Sequence, residues 1–197
     1  MASLILTSEN QIQRLNGILS NVDSLSKLNV QQLTQAPNPK SWNVVEVIEH
    51  LNMAYRIYVP KIENALSQSP DVQKESEGFK ARGWQKFVIE GQRPKNGQRP
   101  WKMKTLKRFT PILEAEDLTQ EKIDEIFTQF FELHNHLKES ILESRAKDVT
   151  KVTFSSAIGN IVRFYLPESF EFLICHMERH MVQINEILEK SALTTSH

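Results

Sequence analysis

The amino-acid sequence predicts an all-α chain, a four-helix bundle with a long irregular basic insertion between its second and third helices. Three observations carry that expectation. Four segments place apolar residues at helical spacing. The 197 residues include only 6 Gly and 8 Pro, too few turn-formers for a fold of many short strands. One connection, residues 68–111, is far longer than the others, and bundles accommodate such a crossover.

The first helix is expected from about Glu9 to Leu28, with Ile12, Leu15, Ile18, Leu19, Val22 and Leu25 on one side. Ser8 and Gln11 form a capping-box pair ahead of it. A polar connection with two prolines, Thr34 to Lys40, follows. The second helix should open at Asn43, paired with Glu46, and continue to about Leu66. Pro60 lies inside it and should kink or interrupt it. The third starts at Asp117 with Gln120 in the capping position, and its stripe contains Ile123, Phe127, Phe130, Phe131, His134, Leu137 and Ile141. The fourth runs from Pro167, a favoured first-turn residue, to about Lys190. Between the last two, Val149 to Tyr165 reads as a connector with a short extended piece.

The bulk numbers narrow the function. A chain of this length with 40% hydrophobic and 24% charged residues suits a single globular domain over 1–197. The formal net charge is zero, which disfavours nucleic acid and anionic membranes as partners. Cys175 stands alone, so no internal disulfide forms and a reducing, cytoplasmic setting is expected. The segment MASLILTSEN lacks the basic region of a signal peptide, and no apolar run is long enough to span a bilayer.

Histidine placement is the chemical signal. His176 and His180 are four residues apart, so one helical face presents both imidazoles one turn apart. That spacing lets a helix supply two nitrogens to one metal ion. His50 borders the second helix's stripe and can meet the fourth helix across the interior. Three imidazoles with one open position are the donor set of a catalytic zinc site, where bound water becomes acidic. The plainer account, three packed or bordering histidines, has to be set beside it.

Local sequence favours the metal reading. SWNVVEVIEHLNMAY resembles the W-S-x-x-E-x-x-x-H-L start of the second helix in the DinB-like superfamily. FEFLICHMERHMVQINEIL is similar to that superfamily's last helix, with its H-E-x-x-H-x-x-Q-I pattern, and KMKTLKRFTP resembles a basic segment of one branch. The resemblance implies a four-helix bundle whose metal ligands map onto His50, His176 and His180. It also implies a divalent ion, nickel or zinc foremost, and is compatible with a homodimer. Relatives include thiol S-transferases that use bacillithiol or mycothiol, a mycothiol-dependent isomerase and metal-dependent hydrolases. The implied function is thus a metal-dependent enzyme acting on a small molecule, a hydrolase or a thiol S-transferase using a low-molecular-weight thiol. Two departures stand out: Met177 replaces the usual glutamate, and Asn43 the usual Ser or Thr cap.

Other residues have competing readings. Glu46 could serve as a base near the metal, though capping is preferred. His134 could approach the site, though a core histidine is preferred. Tyr55, Tyr58 and Trp101 are candidates for lining a substrate pocket. Arg179 should face the surface or an interface, Cys175 the outer face, and His136 solvent. Residues 79–111 hold ten Lys or Arg against the single acid Glu90. This segment either folds over the acidic remainder of the protein, as a lid or dimer contact, or grips an anionic partner in a non-enzymatic binding protein.

Overall fold

The computed structural model describes residues 3–75, 77–100, 105–113 and 118–195, and the side chains of these up to residue 193. All four segments of helical periodicity form helices, and the chain is mainly helical with two small antiparallel sheets. The first helix, α1 (Ser8–Leu25), is capped by Thr7, whose hydroxyl accepts Asn10 N–H at 3.3 Å, rather than by the expected Ser8 pair. After the short α2 (Val30–Thr34), Asn43 and Glu46 close both arms of the capping box that starts α3 (Val44–Arg56). The predicted interruption falls at Ile57–Tyr58. There α4 (Val59–Gln68) restarts with Pro60 in its first turn, where a missing N–H costs nothing.

The basic segment expected to be an irregular insertion is not irregular throughout. Its Phe79–Lys80 strand (β2) pairs with Ile5–Leu6 (β1), Ile5 opposite Lys80, and is followed by a helix, α5 (Gly83–Gln92). An Asn96-Gly97 turn with both φ positive closes Lys95 onto Gln98 through two 2.9 Å backbone bonds, the conformation this dipeptide favours. A 3-10 turn, Lys107–Phe109, lies near the end of the segment. The next helix, α6 (Gln120–Ser144), is capped by Thr119; the expected start at Asp117 lies outside the described residues. The connector folds into a hairpin, β3 (Phe154–Ser156) with β4 (Gly159–Phe164), where β-branched and aromatic residues override an irregular path.

The last helix, α7 (Leu166–Thr195), is the axis of the molecule. The remaining long helices, α1, α3 and α6, pack against it, while α5 covers a further face. Phe170, Phe172, Leu173, Ile174, Cys175 and Met177 are all buried, so this stretch meets protein on every side. Each fully buried Leu, Ile or Phe contributes about 1.5–3 kcal/mol of transfer free energy. No described helix is long and apolar enough to cross a membrane.

Candidate metal centre

The capping box that fixes the start of α3 sets His50 two turns into that helix, facing α7. Two consecutive turns of α7 bring His176 and His180 to the same point. The ring centroids lie 4.6 Å (176 to 180), 4.7 Å (50 to 180) and 5.3 Å (50 to 176) apart. The Nε2 atoms of His176 and His180 are 3.1 Å apart, and those of His50 and His176 3.4 Å. One donor atom from each ring lies within 4.8 Å of the others.

These distances have a chemical meaning. His50 Nδ1–H donates to the Phe109 carbonyl at 2.7 Å, and a carbonyl only accepts, so the neutral ring presents a bare lone pair at Nε2. Nitrogens bound tetrahedrally at about 2.0–2.1 Å from one ion would lie about 3.3 Å apart, within the observed spread. Burial holds all three rings neutral, the form that ligates: His50 and His180 are pushed below the ordinary histidine range, and His176 down to about 3. The bond to the Phe109 carbonyl is the kind of outer support that would orient an imidazole toward a metal ion. His180 Nδ1, by contrast, is buried with no hydrogen-bond partner among the described residues. The donor set, its neutrality and its spacing all fit one divalent ion.

A family model for the DinB superfamily matches residues 14–184. The chain belongs to the DinB superfamily. No curated protein and no solved structure gives a significant match. The DinB resemblance read in the second and last helices thus extends over residues 14–184, and the three histidines onto which it maps the ligands lie together.

The cluster lines a cavity of about 510 Å³, whose lining also includes Trp42, Tyr58, Phe109 and Phe172. Of the aromatic candidates, Tyr58 lines this cavity. Its hydroxyl bonds Ser156 Oγ at 2.6 Å and accepts Ala157 N–H at 3.1 Å, tying the β3–β4 hairpin to the α3–α4 break. Tyr55 is buried elsewhere, its hydroxyl 2.9 Å from His136 Nδ1, and Trp101 lies outside the described residues. Glu46 accepts Asn43 N–H at 2.8 Å as a cap. His134 is stacked between Phe130 and Tyr55, its Nδ1–H donating to Phe130 O at 2.6 Å, away from the cluster.

Three expectations are corrected. Arg179 does not face the surface: it is 5% exposed and lines the cavity, because loop and insertion residues cover that side of α7. Cys175 is fully buried, not outward, since α1 and α5 cover its face; Arg14 Nη2 donates to its sulfur at 3.3 Å. Desolvation pushes its thiol up to about 12, so it is an inert thiol at neutral pH. His136 is half-buried between Tyr55 and Glu63 rather than solvated.

Met177, at the glutamate's usual position, is 2% exposed and packs into the core. The neighbouring Glu178 turns to α1, where Arg14 holds it with two 2.7 Å bonds. No carboxylate joins the three histidines among the described residues. The basic insertion spends much of its charge internally. Arg82 grips Glu168, Arg93 reaches Glu171 at 2.6 Å, and Arg99 reaches Glu186 at 2.6 Å, all three acids on α7.

Proposed function

We propose that this DinB-superfamily protein is a metal-dependent enzyme in which His50, His176 and His180 bind one divalent ion, zinc or nickel, beside a substrate cavity. We also read α1, α3 with α4, α6 and α7 as the four-helix bundle of the family, in one domain. The observation that carries the functional reading is the convergence of three neutral imidazole nitrogens at metal-ligand spacing in the lining of a cavity. Bound there, the ion would lower the pKa of a coordinated water or thiol and so supply a nucleophile at neutral pH, serving hydrolysis and thiol S-transfer alike.

The protein's own residues prepare that site. The Phe109 carbonyl fixes the tautomer of His50, and burial keeps protons off all three rings. Trp42, Phe109 and Phe172 provide an apolar wall that limits water. A binding protein that uses residues 79–111 to grip an anionic partner is the less favoured reading, since Arg82, Arg93 and Arg99 are committed to α7.

Metal content by mass spectrometry, on untagged protein purified without chelators, tests the proposal. A single ion per chain is expected, lost in the His176→Ala, His180→Ala double variant while helical circular dichroism persists. A wild-type chain that neither carries nor takes up zinc or nickel on titration overturns it.

A further inference from the structure

The lining of the cavity includes basic as well as aromatic residues. Lys40, Arg99, Arg179 and Lys190 line it together with one described acid, Glu186, which bonds Arg99 at 2.6 Å and also attracts the Arg179 charge. Arg179 is the least exposed of the four. It sits on α7 one residue before His180, so its place in the wall is fixed by the same helix that presents the histidines. Lys40 and Lys190 are exposed at the rim. A concave surface of one charge sign concentrates oppositely charged ligands. A buried guanidinium in its lining offers a planar fork that matches a carboxylate or phosphate.

We propose that this cavity takes a small molecule with an apolar body and a single anionic group, and that Arg179 binds that group. The inference rests on reading the cavity beside the three histidines as the functional site, and it adds the substrate class. The apolar body would lie against Trp42, Phe109 and Phe172. The anion would lie against Arg179, and the rim lysines would speed its arrival. A volume of about 510 Å³ suits a small organic acid or phosphate ester rather than a macromolecule.

Calorimetric titration of the full chain with hexanoate and with phenyl phosphate tests this, with 1-hexanol as the uncharged comparison. Each is run on zinc-loaded and on metal-free protein. At least one anion should bind with unit stoichiometry, at least tenfold tighter than hexanol, and which one binds better separates carboxylate from phosphate chemistry. Arg179→Gln should weaken that anion at least tenfold with metal content unchanged. Arg179→Lys, which keeps the charge but loses the fork, should fall between.

Hexanol binding as tightly as the anions, or Arg179→Gln binding them like wild type, overturns the proposal. Arg179-dependent anion binding by a chain that takes up no metal leaves it standing and overturns only the metal reading. Should Arg179→Gln fail to fold, the Arg179 Nε–Hε resonance of metal-free wild type decides. A shift on titration supports the proposal, and an unmoved signal at saturation overturns it.

Discussion

At the scale of single residues, what matters is which polar atom finds a partner. His50 can offer Nε2 because the Phe109 carbonyl occupies its other nitrogen. Tyr58 spends its hydroxyl on the hairpin. Tyr58→Phe should leave the Ala157 N–H without its acceptor and Ser156 Oγ with only its bond from Ile158 N–H, costing about 1–3 kcal/mol in urea unfolding. His134 permits a prediction on pH. Burial lowers it to about 4, so between that value and the ordinary 6.5 the unfolded chain binds a proton that the folded chain refuses. Stability therefore rises with pH through that window and is lost as pH falls. In metal-free protein His134→Leu should remove about 2 kcal/mol of the loss between pH 7.5 and pH 5. Equal losses in variant and wild type would show that the folded protein protonates His134 as easily as water does.

At the scale of elements, ends decide positions. The Asn43–Glu46 box starts α3 and so sets the phase at which His50 meets α7. Asn43→Ala should cost about 1 kcal/mol and, by fraying the first turn, weaken metal affinity as well as thermal stability. A second joint links the insertion to α7. Glu168 accepts Arg82 N–H at 2.9 Å and Tyr165 N–H at 3.0 Å and pairs with the Arg82 guanidinium, while itself fully buried. Glu168→Ala should destabilise by about 2 kcal/mol, less than a fully buried pair would lose, because Arg82 keeps contact with water. Hydrogen exchange should quicken in α5 before it does in α6. Uniform quickening would mean that the joint is not local.

At the scale of the molecule, α7 is both core and site. It carries two of the three histidines, Arg179 of the cavity lining and the carboxylates that hold Arg82 and Arg93. An ion bound between α3 and α7 would join helices distant in sequence. Zinc at a thousandfold excess over its dissociation constant should therefore stabilise the fold by about 4 kcal/mol. The accompanying rise in Tm should vanish in His180→Ala. A rise of the same size in that variant would place the ion elsewhere.

The sequence by itself determined the helical segments, the break at Pro60, the capping role available to Glu46 and the three histidines, because periodicity, caps and motif spacing are local properties of the chain. Helical-wheel reasoning failed for Arg179 and Cys175. A wheel assigns one face to solvent, and α7 has protein against that face too. Only the tertiary structure decided that Phe109 supports His50, that Arg179 lines the cavity and that the insertion's arginines are held by α7. Each of those contacts joins residues far apart in the chain, and their geometry exists only once the helices have packed.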